Sequence, residues 1–273
     1  MLYIVATPIG NLREMSYRAV DVLREVDCIA AEDTRHTAQL LNAFEIRKPL
    51  ISYQKFNERA AAERLVAMLR EGKNIALVSD AGMPLISDPG GTLVQTLVEN
   101  DLEFTVVSGP CAVINALVLS GLPTDRFLML GFLPEKPIDR KRVVEKYADV
   151  EATLIVYSPP HNVLDDLRFL YDALGARRVS VVREISKLHE EVIRGRLGDE
   201  WTFTVKGEMV LVVEGAVSRA EQRTADMTIE EHIRYYLAQG LDTKEAVKRT
   251  AADRNVAKSV VYAEALRLKG EKE

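Results

Sequence analysis

Cysteine and histidine are scarce in this sequence. Its 273 residues include only two cysteines, Cys28 and Cys111, and four histidines. The cysteines form no C-x-x-C pair and the histidines are scattered, so the pattern predicts neither a zinc site nor a disulfide framework. No apolar run approaches the ~18–20 residues that a membrane-spanning helix needs. The apolar residues 2–6 follow no basic segment and end at Thr7, unlike a secretory signal. We therefore expect a cytoplasmic protein without membrane association.

Two common nucleotide fingerprints are also missing. The sequence has no G-x-x-x-x-G-K-[ST] motif, and the loop after the first predicted strand supplies only Gly10 where a dinucleotide fingerprint needs three glycines. Acidic residues (41) outnumber lysine and arginine (36), which gives a formal net charge of −5. Free-standing binders of naked nucleic acid are usually basic. The balance disfavours that class, but it is compatible with an RNA-modifying enzyme that docks through a local basic patch.

Short apolar runs that alternate with helical patterns predict an α/β fold. Residues 1–121 contain predicted strands separated by helices, which indicates an N-terminal α/β lobe with a mostly parallel sheet. These strands are residues 2–6, 27–31, 75–79 and 104–108. Residues 122–217 predict a second α/β lobe, in which the last strands are so closely spaced that antiparallel pairs and a mixed sheet are expected. Residues 218–273 predict a small helical C-terminal tail.

Three loops rich in glycine and proline directly follow predicted strands of the first lobe. They are residues 7–11, 80–91 and 108–112. Ligands of open α/β sheets bind at the carboxyl ends of strands, so we expect the three loops to share one edge. The loop 80–91 carries the strongest expectation of function, because connections in such units usually have ~2–6 residues. Taken alone, the other two are compatible with ordinary turns.

Charged segments and a basic cluster are candidate substrate contacts. Residues 32–36 and 183–191 mix both signs after strands, which is typical either of a solvated surface or of a substrate-facing rim. Thr34 and Asn57 are expected to cap the helices that follow them. A local concentration of basic side chains follows in the second lobe. Its members are Lys136, Arg140, Lys141, Arg142 and Lys146.

The tail has the spacing of a helix-turn-helix. Predicted helices at residues 242–253 and 257–268 flank residues 254–256. A DNA-reading helix is usually basic, whereas 11 basic residues face 10 acidic ones from Arg219 onward. Packing or RNA docking is therefore favoured over DNA recognition. His161 and His232 are interpreted as surface residues.

Short motifs occur in a fixed order along almost the whole chain. They are residues 5–12 (VATPIGNL), 31–35 (AEDTR), 79–82 (SDAG), 84–90 (PLISDPG), 109–110 (GP), 121–124 (GLPT), 183–190 (REISKLHE) and 206–208 (KGE). Together they resemble the ribosomal RNA small subunit methyltransferase I family, within the tetrapyrrole-methylase (class III) superfamily. The resemblance implies a two-lobed enzyme, usually a homodimer, that uses S-adenosylmethionine. It also implies the reaction, methylation of the 2′-hydroxyl of a cytidine in the decoding region of small-subunit (16S) rRNA.

The resemblance further implies roles for individual residues. Contacts with S-adenosylmethionine are expected from Pro8, Ile9, Gly10, Asp80, Ala81, Gly82, Met83, Gly109, Pro110, Cys111 and Ala112. Contacts with the substrate are expected from Arg35, Arg140, Arg142 and Arg183. The candidates for handling the hydroxyl proton are Asp33, Glu184 and Lys187. Lys187 would be a base if desolvation lowers its pKa, or would stabilise oxyanion charge if it stays protonated. No metal is expected, because the methyl of a sulfonium is already activated.

Expected partners and alternatives follow from the same reasoning. The substrate rRNA is expected on an assembled or nearly assembled 30S particle, where shape and protein surface add to recognition by charge. One alternative is a class III methylase of a corrinoid or another small molecule, which would have no need of the helical tail. Another is a non-enzymatic nucleotide-binding regulator that uses the tail on DNA.

Overall fold

The computed structural model describes residues 1–217, 227–254 and 256–270. They divide into two units. One comprises Met1–Ala148 with Ala152–Gly215, and the other comprises Asp149–Glu151 with the described residues from Ala216 onward. No helix within the described ranges has the length and apolar character needed to span a bilayer.

The first sheet is parallel, because its strands are apolar and are joined by helices that cover both faces. Its strands, in the order β3-β2-β4-β1-β5, are β1 (Leu2–Val5), β2 (Cys28–Ala31), β3 (Leu50–Ser52), β4 (Ile75–Val78) and β5 (Phe104–Val107). The helices are α1 (Tyr17–Glu25), α2 (Thr34–Ala43), α3 (Glu58–Arg70), α4 (Gly91–Glu99) and α5 (Ala112–Ser120), with a short 3-10 helix at Leu12–Glu14. Every residue of β2 and β4 is buried, which confirms a sheet covered on both sides.

The second sheet is mixed, as predicted. Its strands, in the order β6-β7-β10-β8-β9, are β6 (Phe127–Phe132), β7 (Thr153–Ser158), β8 (Arg178–Arg183), β9 (Glu191–Arg196) and β10 (Met209–Val213). β6 and β7 pair in parallel, with a register shift between Met129 and Gly131, and the remaining pairs are antiparallel. The helices α6 (Pro137–Lys146) and α7 (Val163–Leu174) supply the connections around β7.

Helix α5 links the two sheets. It precedes the break predicted after residue 121, yet it packs against β8 and β10 of the second sheet. Val113, Ala116 and Leu117 join a core with residues of the second sheet, such as Ile155 and Val212. The chain therefore leaves β5 and enters a helix whose apolar face is buried on the second sheet. The division of the first two lobes at residues 121 and 122 therefore describes chain order rather than packing.

The described residues of the tail unit form three helices around a small core. They are α8 (Ile229–Ala238), α9 (Thr243–Asp253) and α10 (Lys258–Gly270). Thr228 and Glu231 form a capping box at the start of α8, and Asp242 caps α9. All three helices contact one another around Ile233 and Val261, which are fully buried. Residues 218–226, where the tail was predicted to begin, and Asn255 lie outside the described residues.

Four local predictions were wrong. The strand β3 was missed, because its three residues carry too little pattern to be recognised. Asn57 makes no capping bond to α3 and accepts a hydrogen bond from the Gln54 amide instead. Asp33, rather than Thr34, caps α2. His232 is fully buried rather than at the surface.

Candidate active site

Three loops meet at the carboxyl edge of the first sheet. They leave β1, β4 and β5, which are neighbours in the sheet, so the predicted shared edge is confirmed. Thr7 and Gly82 exchange two backbone hydrogen bonds, of 2.8 Å and 3.1 Å, and tie the first two loops together. Gly109 of the third loop lies so close to β1 that a Cβ on it would be 2.8 Å from the Cβ of Ala6. This close approach explains why glycine is needed there.

A cavity of about 450 Å³ lies between these loops and the second sheet. From the first lobe it is lined by Ile9, Glu32, Asp80, Ala81, Ile86, Ser87, Asp88 and Ala112. From the second lobe it is lined by Phe132, Tyr157, Ser158, Pro159, Pro160, Ile185, Glu208, Met209 and Val210. We call it the cleft cavity. Its volume is within the range of ~300–1,000 Å³ that is common for small-molecule sites.

Carboxylates give the first-lobe wall of the cleft cavity a negative character. Burial raises the pKa of Glu32, and the nearby charges of Asp88 and Asp80 raise it further. Burial also raises the pKa of Asp88, against the opposing effect of a hydrogen bond from the Ser79 side chain. Repulsion between these groups is relieved by a positive charge nearby, so the wall favours a cationic ligand.

Asp33 is held by its neighbours on α2. Its Oδ1 accepts hydrogen bonds from the Arg35 backbone N at 2.8 Å and from Arg35 Nε at 3.1 Å, and Arg35 Nη2 lies 2.7 Å from Oδ2. The hydrogen bonds from Arg35 lower the pKa of Asp33 to about 2. The Asp33 backbone N donates to Asp80 Oδ1 at 2.9 Å. An ionised, engaged carboxylate is a weak proton acceptor near neutral pH, so this geometry favours a positioning role for Asp33.

Lys187 lies across the first loop and joins two carboxylates. Its Nζ is 3.1 Å from Glu184 Oε1 and 2.9 Å from Glu208 Oε2. Its alkyl chain covers Gly10, where φ is +146° and an added Cβ would be 2.3 Å from Lys187 Cγ. Burial acts to lower the pKa of Lys187, but the hydrogen bonds to Glu208 and Glu184 outweigh burial and raise it. Of the two roles left open for Lys187, the structure favours the protonated cation.

The arginines predicted to contact substrate differ in their availability. Arg35 is 88% exposed while it pairs with Asp33. Arg183 is buried and bonds Glu191 at 2.9 Å and the Lys206 carbonyl. Arg140 pairs with the buried Asp166 at 3.1 Å and lies over the Phe169 ring.

The other members of the basic cluster are exposed, whereas Arg140 is largely buried. Arg142 is exposed and, among the residues that the structure describes, its side chain is bonded to Asp139 alone. The placement of Arg140 favours a structural role over the predicted substrate contact, whereas Arg142 stays accessible.

A second cavity of about 280 Å³ adjoins the first loop. It is lined by Pro8, Gly10, Leu12, His36, Gln39, Leu40, Ala43 and Asp80, and we call it the α2 cavity. Asp80 also lines the cleft cavity. Ile9 faces the cleft cavity, while its neighbours Pro8 and Gly10 face the α2 cavity. The predicted cofactor loop therefore separates two cavities.

Comparison with known proteins gives a consistent result. The family described as Tetrapyrrole (Corrin/Porphyrin) Methylases matches residues 1–200. A protein of Halalkalibacterium halodurans named ribosomal RNA small subunit methyltransferase I is 43% identical over 96% of this chain and 93% of its own length. The protein of that name from Bacillus subtilis is 40% identical over 96% of this chain and 92% of its own. The chain belongs to the ribosomal RNA small subunit methyltransferase I family.

This methyltransferase I family member has the tetrapyrrole-methylase fold. The crystal structure of uroporphyrin-III-C-methyltransferase from Thermus thermophilus covers 78% of this chain and 93% of its own, with 22% identity and a TM-score of 0.56. Membership of this family establishes that the protein is a methyltransferase. The hypothesis of a non-enzymatic DNA regulator is therefore not supported.

The structure places the predicted cofactor residues of the methyltransferase in different surroundings. Ile9, Asp80, Ala81 and Ala112 line the cleft cavity, Pro8 and Gly10 line the α2 cavity, and Gly82 holds the first two loops together. The remaining positions line neither of these two cavities. They are Met83, which packs on the first-sheet core, Cys111, which packs against the core shared by the two sheets, and Gly109 and Pro110.

Sequence reasoning missed the aromatic part of the second-lobe wall of the cleft cavity, although Ile185 and Glu208 of that wall lie in the quoted motifs. Phe132 and Tyr157 are paired across β6 and β7, and their rings lie 5.3 Å apart. The sequence predicts strands at residues 127–132 and 153–158, but it predicts no ligand contact for either aromatic residue. Asp88 and Glu32 could have been predicted as site residues. Asp88 lies in the loop with the strongest expectation of function, and Glu32 lies in a charged segment that follows a strand.

Proposed function

We propose that this protein transfers a methyl group from S-adenosylmethionine to the ribose 2′-hydroxyl of a cytidine in small-subunit rRNA. The observation that carries the proposal is the cleft cavity, which joins carboxylates to an apolar wall at the edge where the family motifs converge. The names of its relatives support rRNA as the substrate class. The ribose position and the cytidine come from the family resemblance.

The residues of the cleft cavity fit S-adenosylmethionine. When bound, this group supplies a methyl already activated on a sulfonium. Glu32, Asp80 and Asp88 offer negative charge for its cationic centres, and Ile86 and Val210 offer apolar surface for its adenine. Gly82, whose φ is +84°, leaves room for Ile9, because an added Cβ would lie 3.1 Å from the Ile9 Cγ2. The loops around the cavity are fixed by hydrogen bonds, so little ordering is required on binding.

The chain's own groups handle the charge of the acceptor. A ribose hydroxyl becomes a strong nucleophile only as it loses its proton, which passes to water in our proposal, and negative charge then grows on its oxygen. Protonated Lys187, on the rim beside Gly10, stabilises that charge in our proposal. Glu184 and Glu208 orient its ammonium group. The backbone N–H of Asp33 keeps Asp80 in position, and the Asp33 carboxylate holds the start of α2 through its bonds with Arg35.

Local basic surface recognises the RNA in this proposal. Lys136, Lys141 and Arg142 are exposed around α6, and Arg35 is exposed at the start of α2. Phosphate contacts weaken as salt concentration rises, and each contact steepens the dependence. A fourfold rise in salt should therefore weaken binding to small ribosomal subunits, which we propose as the cytoplasmic partner of the enzyme.

We also propose that the protein is a homodimer. The edge strand β5 exposes Phe104 and Val106, and the neighbouring helix α5 exposes Ile114 and Val118. An exposed apolar sheet edge is a common association surface. Sedimentation analysis of the wild type and of Val118→Glu would test this arrangement, and a monomeric wild type would reject it.

The decisive test of function is transfer of labelled methyl from S-adenosylmethionine to unmodified small ribosomal subunits. Naked rRNA and a corrin precursor are the matched controls. We expect label in rRNA that survives alkaline hydrolysis in a resistant dinucleotide, since a 2′-O-methyl group blocks cleavage there. Label in the corrin alone would reject the RNA substrate and would support the small-molecule alternative.

A further inference from the structure

The α2 cavity has the composition of a nucleobase site. Apolar surface comes from Leu40 and Ala43 of α2, from Pro8 of the first loop and from Leu12 of the 3-10 helix that follows it. Such surfaces pack against the flat faces of a base. His36, Gln39, Leu40 and Ala43 are spaced so that they share one face of α2, whereas Thr37 and Leu41 are buried on its other side.

The polar groups of this cavity are available to a ligand. The side chains of His36 and Gln39 are exposed, and neither has a hydrogen-bond or ionic partner among the described residues. A glutamine amide offers two donors and one acceptor, which can match the edge of a pyrimidine. Bases that undergo or accompany chemistry are read in this way once they have left their stack.

The position of the α2 cavity links it to methyl transfer. Asp80 lines both cavities, and consecutive residues of the first loop line one or the other. A base held in the α2 cavity would place its sugar near Asp80, at the junction with the cleft cavity. Lys187 lies on Gly10 at the same loop, so its ammonium group is on the rim where the acceptor oxygen would arrive.

We propose that the α2 cavity receives the base of the acceptor nucleotide, a pyrimidine turned out of the RNA, and that Gln39 reads its edge. The inference rests on the proposed function and names the residues that select its substrate. The cleft cavity then binds the methyl donor alone, and the two ligands meet at Asp80.

The test fills the α2 cavity without touching the cleft cavity. Ala43→Phe adds bulk to the α2 cavity, and Ala60→Phe makes the same change at an exposed position of α3 that lines neither cavity. We expect Ala43→Phe to lower kcat/KM for small ribosomal subunits by about a hundredfold, because a misplaced acceptor loses alignment. Calorimetric affinity for S-adenosylmethionine should stay within about twofold of that of Ala60→Phe.

A second variant keeps the test decisive if Ala43→Phe lowers the Tm more than its control does. Gln39→Ala truncates an exposed side chain, and loss of its hydrogen bonds should raise KM for subunits by about fivefold to tenfold. Normal kinetics in both variants, or loss of donor affinity equal to the loss of methylation, would overturn the inference. If the wild type labels subunits and both variants match it, this inference fails and the proposed function stands. A wild type that labels no subunit overturns both.

Discussion

Removal of the Lys187 ammonium group is the sharpest test of the proposed electrostatics. Lys187→Met leaves Glu184, whose side chain is 19% exposed, without its cation and close to Glu208, which is 75% exposed. The rim is open to water, so we expect a modest destabilisation of about 1–2 kcal/mol. The loss of oxyanion stabilisation should lower kcat by about 10²–10³. This fall in rate is larger than the one that the lost stability alone would cause.

Lys187→Arg separates the two roles that the residue could have. Arginine keeps the positive charge but cannot act as a base, so an electrostatic role predicts activity well above that of Lys187→Met. Single-turnover methylation of subunits from pH 6 to 9 is the assay. Because the folded-state pKa of Lys187 is raised above 10.5, its ammonium group persists over this range and should add no rising limb to the rate. A Lys187→Met enzyme at wild-type rate, or Lys187→Arg as inactive as Lys187→Met, would refute the reasoning.

Two further predictions concern the backbone and the tail. Gly10→Ala should destabilise the fold by about 1–3 kcal/mol because of the positive φ at this position, and it should also lower methylation because the new Cβ displaces Lys187. Gly72 also has a positive φ, but an added Cβ there would have nothing within 4 Å, so Gly72→Ala should lower stability and leave methylation unchanged. Equal activity of the two variants in the methylation assay would contradict this. Burial lowers the pKa of His232 from 6.5 despite Asp253, so tail stability should be complete above pH 6.5 and decrease as pH falls below it. Hydrogen exchange of α8, corrected for intrinsic rates, should show the decrease in the wild type and a weaker one in His232→Gln.

The first sheet was largely predictable because its signals are local. Apolar runs such as 75–79 are bounded by glycine and polar residues, and parallel order follows from the helices between them. The shared edge of the three loops then follows from geometry alone. The strand β3 was not predicted, because three residues, one of them exposed, are too few to show a recognisable hydrophobic period. The burial of His232 was also missed, because its burial depends on tertiary packing in the tail.

The candidate site was predictable only on one side. Motif residues such as Asp80 lie where strand ends place them, whereas Phe132 lines the cleft cavity through long-range packing of the second lobe, which no local pattern encodes. The contacts of a side chain also determine its role where the residue type alone allows several. Arg140 and Arg142 are neighbours in one basic cluster, yet Asp166 holds the first inward and leaves the second exposed.

The negative wall of the cleft cavity suggests how donor and product are distinguished. S-adenosylmethionine carries a positive sulfonium, while its demethylated product is a neutral thioether at the same atom. Asp88→Asn should therefore weaken binding of the donor by about fivefold, or about 1 kcal/mol, and leave the affinity for the product nearly unchanged. The exposed Asp172→Asn on α7 is the charge-matched control.

Calorimetry with both ligands over a range of pH measures this difference directly. Because the pKa values of Glu32 and Asp88 are raised, the wild type should lose its preference for the donor as pH falls and these groups become protonated. Equal weakening of donor and product by Asp88→Asn would mean that the carboxylate acts on a part common to both. A larger loss of affinity for the donor than for the product would instead show that the carboxylate attracts the sulfonium. Transfer of the methyl then removes this attraction, so the acidic wall promotes release of the product.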